Sequence, residues 1–373
     1  MSTTADPFQL DPVEEAVTAI ANGEMVVVVD DDDRENEGDL IVAAAKVTPE
    51  QMGFIVRHTT GIVCVPMPRE DARRLSLVPM VADNDAPMST AFTVSVDYKE
   101  GLTTGISAAE RTSTARALAN GNVQAEDFVR PGHMFPLIAK RGGVLMRSGH
   151  TEAAVDLAKL ANLAPVGVIA ELVNDDGTVK KGDQVFAFAR EHGLKIISVA
   201  DLIEYRQSRE RLVEQVSTYE FQTRIGTATA ISYTTPFDTI EHLAVTFGDV
   251  SNGEGIPARL HREDVLEDAL GDRATLERMY DWFEREGRGI LIYLRVGAAG
   301  VPGSYLSEDT NEEDTASSRS REQVWRDIGL GAQILRDLDV KSIKLLASRD
   351  RTYVGLSGFG IEIAETELIE GEQ

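Results

Sequence analysis

The sequence predicts a chain of mixed α+β and α/β class that folds into two domains. Its 373 residues exceed the roughly 100–200 residues of an ordinary single domain. Apolar runs such as MVVVV alternate with capped, amphipathic segments, and this strand–helix–strand order is typical of an α/β layer. A charged segment at about residues 200–215 closes the first half. We therefore expect one domain over residues 1–208 and a second over residues 209–373.

The first half begins with a predicted helix followed by two strands. In DPVEEAVTAIANG, Asp11 is the expected N-cap, Pro12 suits the first turn and Gly23 can end the helix. MVVVVD is typical of a strand buried on both faces, and DLIVAAAK is a second strand candidate. The acidic segment between them is then a connection that leaves the end of a buried strand.

Further helices and strands alternate along the chain. In the first half we predict helices at TPEQMGFIVRHT, SAAERTSTARALAN and TEAAVDLAKLANL (beginning at Thr151), strands at STAFTVSVD, GVLMR and VGVIAEL, and a final charged helix in KIISVADLIEYRQSRERLVEQV. In the second half we predict strands at TRIGTATAISYTT, HLAVTFG, RGILIYLRV and KSIKLLAS, a helix at GLGAQILRDLDV, and a polar loop at GSYLSEDTNEEDTASSRSRE.

Composition excludes several classes of partner. The formal net charge of −25 gives a surface that repels phosphodiester backbones, so we expect no nucleic-acid partner. No apolar run approaches the roughly 20 residues of a membrane span, so we expect no membrane partner. Cys64 is the only cysteine, which excludes an intramolecular disulfide and a multi-cysteine metal site within one chain. With no export signal in MSTTADPFQL, this predicts a cytoplasmic protein.

Carboxylates and histidines occur where strands end and turns begin. Glu35, Asp39 and Glu171 lie at such positions, and His133 and His150 each follow a glycine, which lets the backbone approach a ligand closely. Oxygen ligands with one imidazole suit a hard divalent ion such as Mg²⁺ or Mn²⁺ better than a thiolate-type zinc site.

A phosphate site is predicted at the start of the helix that follows GVLMR. Arg147, Ser148 and Thr151 flank the helix N-terminus, where free N–H groups and the helix dipole favour an anion. A metal beside a phosphate site indicates a sugar-phosphate substrate. Other interpretations stay open from the residues alone: the acidic run as a solvated turn, each histidine as a structural hydrogen-bonding group, and Arg147 as the partner of a nearby acid.

Three long segments of the first half resemble one family. DDDRENEGDLIVAA, RPGHMFPL and RSGHTEAAVDLAKLANLAPVGVIAELVNDDG are together similar to 3,4-dihydroxy-2-butanone 4-phosphate synthase, over about Leu10 to Tyr205. The resemblance implies an α/β domain with a mixed sheet that forms a homodimer, with the site near the subunit interface. It also implies conversion of D-ribulose 5-phosphate to L-3,4-dihydroxy-2-butanone 4-phosphate and formate, with two Mg²⁺ or Mn²⁺ ions per site.

The resemblance assigns roles to individual residues. It implies that Glu35 and His150 hold the metal and that His133 and Glu171 are essential. We assign catalytic roles to His133, Glu171 and Asp39, which would move protons in an undetermined order. The substrate contacts that it implies are Arg34, Glu35, Asp39, Arg147, Ser148, Gly149, His150, Thr151 and Glu171. Cys64 lies in a segment that the family uses as a mobile loop, although a small buried hydrophobic role is preferred.

The second half resembles GTP cyclohydrolase II, at ARLHRED, EREGRGILIYLR, DIGLGAQILRDLDVKSIKLL and GLSGFGIEIAE. That family binds a catalytic zinc through three cysteines, the first directly after a His-Ser-Glu segment, but LHREDVLEDALGD carries none. Other motifs of the family are altered to VGAAGVPG, to ASRDRTY, and to VWR, in which Arg326 matches the nucleophile and Val324 replaces the acid.

Without zinc there is no activated water to open the guanine ring, so we predict a second domain that binds no zinc and does not hydrolyse GTP. A structural role is favoured over a regulatory, nucleotide-binding one. The alternative is a bifunctional enzyme that retains GTP cyclohydrolase II activity.

Overall fold

The chain divides into two compact units, Met1–Tyr205 and Arg206–Gln373. The computed structural model describes residues 9–30, 35–86, 88, 90–210, 213–236, 240–271, 273–295, 329–347 and 361–368. Within these ranges each unit contains a seven-stranded sheet with parallel and antiparallel neighbours, flanked by helices. The predicted pair of α/β domains, the first with a mixed sheet, is therefore confirmed.

The sheet of the first unit has the strand order β4-β5-β3-β6-β2-β1-β7. Its strands are β1 Val26–Val29, β2 Gly38–Ala43, β3 Cys64–Met67, β4 Val96–Tyr98, β5 Phe128–Ile138, β6 Gly167–Glu171 and β7 Lys195–Ser198. The pairs β3/β5 and β1/β7 are parallel, whereas β2 runs antiparallel to both of its neighbours. The central strands are buried on both faces, as the continuous apolar runs predict.

Helices cover both faces of this sheet. They are α1 Val13–Asn22, α2 Pro49–His58, α3 Arg69–Arg74, α4 Ala108–Leu118, α5 His150–Leu160, α6 Asp183–Glu191 and α7 Val199–Arg209. Val27 packs into one apolar core with Met52 of α2, while Val28 packs into another with Leu157 of α5. Successive residues of a strand point to opposite faces, so one short valine run serves two cores.

Two predicted helix starts follow their capping signals, and a third does not. Thr48 and Ser107 cap α2 and α4 in complete capping boxes. The prediction that Asp11 caps α1 is wrong, because α1 starts after Pro12 without a side-chain cap. The Asp11 carboxylate instead accepts the N–H of Ile196, at 2.9 Å, and ties the chain to β7.

Two predicted strands differ in the structure. GVLMR forms a 3-10 turn, Gly143–Leu145, because Gly142 and Gly143 take φ of 99° and 64°, and the Val144 N–H bonds to the Asp156 carboxylate at 2.8 Å. STAFTVSVD is a strand only from Val96, and the residues before it make isolated bridges. The hydrogen bond to Asp156 of α5 therefore outweighed the β-propensity of the GVLMR segment.

The sheet of the second unit has the order β14-β13-β11-β12-β10-β9-β8. Its strands are β8 Glu214–Thr223, β9 Gly226–Thr234, β10 His242–Phe247, β11 Ile256–Arg262, β12 Gly289–Leu294, β13 Ser342–Ala347 and β14 Glu362–Leu368. Helix α8, Ala274–Glu286, packs on one face, and the helical residues 329–337 supply apolar side chains to the other. The strand β8 was not predicted, because nearly all of it is exposed and it lacks an alternating pattern.

Several predicted features lie outside the described residues: the polar loop GSYLSEDTNEEDTASSRSRE, the segment VGAAGVPG, Val324 and Arg326, and all of ASRDRTY after its alanine. Within the described ranges, no helix combines the length and apolarity that a membrane crossing requires.

Candidate active site

The backbone at Glu35 and Glu37 is held by the carboxylate of Asp30. Asp30 follows β1 directly and is 6% exposed. Its Oδ1 accepts the backbone N–H of Glu37 at 2.9 Å, and its Oδ2 accepts that of Glu35 at 3.3 Å. Lys181 Nζ donates to the Glu35 carbonyl oxygen at 3.0 Å. These bonds place Glu35 beside the end of the buried strand instead of leaving it in a solvated turn.

Two further carboxylates face each other across neighbouring strands. Asp39 of β2 is directly opposite Glu171 of β6 in the antiparallel register. Directly opposite residues of such a pair share one face, with Cβ atoms roughly 5 Å apart. Glu171 Oε2 accepts a hydrogen bond from Thr60 Oγ1 at 2.8 Å, which fixes one of the two acids.

The start of α5 brings an imidazole to these acids. His150 is the first residue of the helix and is buried, with Nδ1 3.6 Å from Asp39 Oδ1. Asp30, Glu35 and His150 each offer one ligand atom, and these atoms lie within 4.8 Å of one another. Segments that are distant in the sequence therefore converge on one spot.

The electrostatics of this spot favour a cation. Burial raises the pKa of Asp39 well above the usual range of a carboxyl group, and the charges of Glu171 and Glu35 raise it further. Asp39 Oδ1 is buried and makes no hydrogen bond to any described residue. An oxygen-rich set with one imidazole fits Mg²⁺ or Mn²⁺, whose charge offsets the repulsion between the acids. The residues present thus fit the divalent ion that the sequence predicts.

Arg147 precedes α5 and is fixed by two partners. Its Nη1 donates to Glu152 Oε2 at 2.7 Å, and its Nη2 donates to the Met88 carbonyl oxygen at 3.1 Å. Ser148 and Thr151 are buried beside it, and Gly149 is the N-cap of the helix. The predicted phosphate-binding residues therefore lie together at one helix N-terminus. Arg34 lies outside the described residues.

His133 lies apart from this group. It belongs to β5, which is not a direct neighbour of β6, the strand of Glu171, because β3 lies between them in the strand order. The buried Asp97 of β4 accepts the His133 backbone N–H at 2.9 Å and contacts its Nδ1 at 2.7 Å. The imidazole itself is half-exposed.

Cys64 is a buried thiol in β3. This agrees with the small buried hydrophobic role that we preferred over a position in a mobile loop. Burial and the carboxylates of Glu171 and Asp39 raise its pKa, so it stays protonated at neutral pH.

Sequence reasoning missed Asp30, Asp97 and Glu152. Asp30 ends the run MVVVVD, and an acid at the end of a buried strand is the signal that could have identified it. Glu152 and Asp156 are four positions apart on α5 and are both buried. Two acids on the buried face of a helix indicate dedicated partners, and TEAAVDLAKL carries that signal. No local pattern around Asp97 distinguishes it.

Comparison with known proteins gives a family for each unit. The profile of the 3,4-dihydroxy-2-butanone 4-phosphate synthase family matches residues 14–205, and that of the GTP cyclohydrolase II family matches residues 214–367. The bifunctional riboflavin biosynthesis protein RIBA 1 of Arabidopsis thaliana is 44% identical over 96% of this chain and 70% of its own length. The monofunctional protein RIBA 2 of the same plant is 45% identical over 94% of this chain and 75% of its own length.

Solved structures agree with these relatives. RibBX, described as a two-domain 3,4-dihydroxy-2-butanone 4-phosphate synthase from A. baumannii, is 37% identical with a TM-score of 0.79, covering 97% of this chain and 100% of its own. A synthase solved with two magnesium ions is 45% identical with a TM-score of 0.52, covering 54% of this chain and 98% of its own. This chain belongs to the 3,4-dihydroxy-2-butanone 4-phosphate synthase family of riboflavin-biosynthesis enzymes, and its second unit belongs to the GTP cyclohydrolase II family.

Proposed function

We propose that the first unit converts D-ribulose 5-phosphate to L-3,4-dihydroxy-2-butanone 4-phosphate and formate. The observation that supports this most is the convergence of Asp30, Glu35 and His150 beside the facing acids Asp39 and Glu171. The two products together contain all the atoms of the substrate. The residues of the site therefore need no redox partner or second substrate, only a means of moving protons.

Glu35 and His150 would hold the divalent ion, with Asp30 able to add a further oxygen. A divalent ion supplies charge stabilisation for oxygens that become negative next to a carbonyl. The magnesium found in a related synthase supports this use of the ion. Mg²⁺ or Mn²⁺, two per site, remains our proposal for this chain.

Asp39 and Glu171 are the groups best placed to move protons beside the ion. Two acids that face each other at close range do not both ionise easily, and burial of Asp39 adds to this. One of the pair can then carry a proton while the other accepts one, which is what removal of a proton next to a carbonyl requires. His133 provides a third acid–base group, with a half-exposed imidazole whose Nδ1 contacts Asp97.

Arg147, Ser148 and Thr151 bind the phosphate in this proposal. The backbone N–H groups of the first turn of α5 lack partners within the helix, and the helix dipole favours an anion there. Arg34 and Gly149 complete the set of proposed substrate contacts.

The test is formate release from ribulose 5-phosphate by the purified full chain with Mg²⁺. We expect formate from the wild type and none from Glu35→Ala or His150→Ala. His192→Ala, at the exposed end of α6, is the matched control and should keep wild-type rates. Absence of formate from the wild type refutes the proposed reaction, and retained activity in the two site variants refutes the metal assignment.

The second unit, in our proposal, binds no catalytic zinc and does not hydrolyse GTP. The only cysteine of the chain is in β3 of the first unit, so the three-cysteine site of the family is not available. His261, from the segment LHRED, is hydrogen-bonded through Nε2 to both oxygens of Asp268, at 2.9 and 3.0 Å. Tyr293 donates to the same carboxylate at 2.6 Å, and this network supports a structural role.

Two alternatives for the second unit have specific support. Retained cyclohydrolase activity is favoured by the relatives named bifunctional, and regulatory nucleotide binding is favoured by the family match itself. Incubation with GTP, Mg²⁺ and Zn²⁺ separates them: a pyrimidine product establishes the first, and a GTP-dependent rise in Tm without product establishes the second. A chain truncated after residue 208 should keep formate release if the role is structural.

We also propose a homodimer in the cytoplasm. The dimer follows from the family resemblance, and light scattering of the full chain would measure it. The location is supported by a single, buried, free cysteine, as expected in a reducing compartment.

A further inference from the structure

Arg147 is held by a carboxylate that faces the protein interior. Glu152 is 1% exposed in its side chain, whereas the side chain of Arg147 is 16% exposed. Glu152 Oε2 takes the Arg147 Nη1 contact at 2.7 Å, and Glu152 Oε1 accepts the Lys140 N–H at 2.9 Å. One buried side chain thus fastens both the guanidinium and the beginning of the 140–149 segment that carries it.

The backbone between the two residues is shaped to permit this contact. A Cβ at Gly149 would lie 2.4 Å from Arg147 Nη1 and 3.0 Å from Glu152 Oε2. Any side chain at this position would displace the guanidinium. The glycine of the RSGH segment is therefore needed for the ion pair as well as for the approach of a ligand.

The remaining contacts of Arg147 leave part of its guanidinium available. Among the described residues its other acceptors are the Met88 carbonyl at 3.1 Å and Thr90 Oγ1 at 3.4 Å. A guanidinium has about five N–H groups, so roughly two can still face a ligand. Their direction is set by Glu152 on one side and by Met88 and Thr90 on the other.

We propose that Glu152 is a positioning residue for the substrate phosphate, acting through the orientation of Arg147. This inference rests on the proposed function, in which Arg147 binds the phosphate of ribulose 5-phosphate. Glu152 does not touch the substrate. It holds the guanidinium in the geometry that a phosphate oxygen requires, so that less orientational freedom is lost on binding.

The negative charge of Glu152 acts in the opposite direction. A carboxylate next to Arg147 reduces the attraction that the guanidinium exerts on a phosphate. Loss of the charge alone would strengthen phosphate binding, whereas loss of the orientation weakens it. Both oxygens of Glu152 are hydrogen-bonded and its side chain is 1% exposed, so it fixes the guanidinium firmly. We therefore expect the effect of orientation to outweigh that of the charge at this site.

The test uses three variants and the KM for ribulose 5-phosphate. Glu152→Gln should raise the KM about tenfold or more and change kcat by less than about threefold, because the charge-assisted hydrogen bond that orients Arg147 is lost and uniform binding of the phosphate is weakened with it. Glu152→Asp keeps the charge but withdraws the oxygens, so it should also raise the KM. The double variant Glu152→Gln/Arg147→Ala should match Arg147→Ala alone within about twofold, since Glu152 acts only through Arg147.

Glu210→Gln is the matched control. It breaks another Arg–Glu pair, Arg206–Glu210 at 2.6 Å, neither member of which belongs to the candidate site, and should leave the KM unchanged. An unchanged or lower KM for both Glu152 variants overturns the proposal. So does a double variant whose effects add.

Inorganic phosphate provides a readout that does not depend on turnover. Phosphate should raise the Tm of the wild type and of Glu210→Gln, and the shift should be weaker in Glu152→Gln. Equal shifts in the wild type and Glu152→Gln overturn the proposal. Missing formate from the wild type, together with a phosphate shift that depends on Glu152, would refute the proposed reaction while supporting the role of Glu152.

Discussion

From the contact between Asp97 and His133 we predict which nitrogen of the His133 ring carries the proton. Asp97 Oδ2 is 2.7 Å from His133 Nδ1, and Oδ1 accepts the His133 N–H at 2.9 Å. An ionised carboxylate only accepts hydrogen bonds, so the Nδ1–H tautomer is favoured and Nε2 is left as the base. Asp97→Asn keeps the shape but can turn an NH₂ group toward Nδ1, which favours the opposite tautomer.

The size of the effect follows from the type of bond lost. A hydrogen bond to a charged group contributes about 1.5–3 kcal/mol, which corresponds to a change of about 10- to 150-fold in the population of the competent tautomer. The same change in a serine-protease triad lowers kcat by about 10⁴-fold, which is an upper limit here. We expect kcat for formate release to fall by at least about tenfold in Asp97→Asn, with the KM affected less.

The assay combines kcat with the ¹⁵N chemical shifts of the His133 ring. In the wild type Nδ1 should show the shift of a protonated nitrogen and Nε2 that of an unprotonated one, and Asp97→Asn should reverse them. Mn²⁺ binding without substrate is the control and should be unchanged, because Asp97 and His133 are not among the metal-ligand cluster. Full kcat in Asp97→Asn, or reversed shifts without loss of rate, would show that the tautomer of His133 does not matter for the reaction.

Three other predictions follow from the same structure. Because the pKa of Asp39 is raised in the folded protein, Asp39 lowers the stability of the metal-free protein as the pH rises above its unfolded pKa of about 3.9. Asp39→Asn should therefore raise the Tm of the EDTA-treated protein at neutral pH. Calorimetry from pH 3 to 8, in steps of about one pH unit, should show that this gain disappears in acid. Mg²⁺ at about 100 times its Kd should add about 2.7 kcal/mol to the free energy of unfolding of the first unit, and Glu35→Gln should lose most of this gain. An equal gain in the wild type and in Glu35→Gln would contradict the metal assignment. Tyr293→Phe removes the 2.6 Å hydrogen bond to the Asp268 carboxylate, which keeps its contacts with His261, so the free energy of unfolding of the second unit in urea should fall by about 1.5–3 kcal/mol. Formate release should stay at the wild-type rate, and its loss would show that the network serves more than stability.

Elements with a strong local signal could be predicted from the sequence, and elements set by long-range contacts could not. MVVVV and the capping box at Thr48 fix β1 and α2 locally. GVLMR has the composition of a strand, but the buried Asp156 holds the Val144 N–H and two glycines turn the chain. That carboxylate is on the following helix, so no window around GVLMR could reveal the contact.

The candidate site shows the same division. Glu35, Asp39, His150 and Glu171 were predicted, and the structure brings them together with Asp30. The residues that were missed hold other residues in place: Asp30 binds Glu37, Asp97 binds His133 and Glu152 binds Arg147. Such roles depend on which two segments meet in space. The chemical type of a residue can be read directly from a single sequence, whereas the residue that it contacts in the fold cannot.

The buried acids also connect the fold of the first unit to its cation. Asp30 and Asp39 are each at most 6% exposed and lie beside the carboxylates of Glu35 and Glu171. Burial of several like charges opposes folding unless a cation or protons neutralise them. At neutral pH, protonation of Asp39 relieves only part of this repulsion, and a divalent ion relieves more because it attracts every carboxylate at once. The same charge density that makes the metal-free unit less stable therefore gives the site its affinity for the ion, and a variant that removes the repulsion should lose the ion with it.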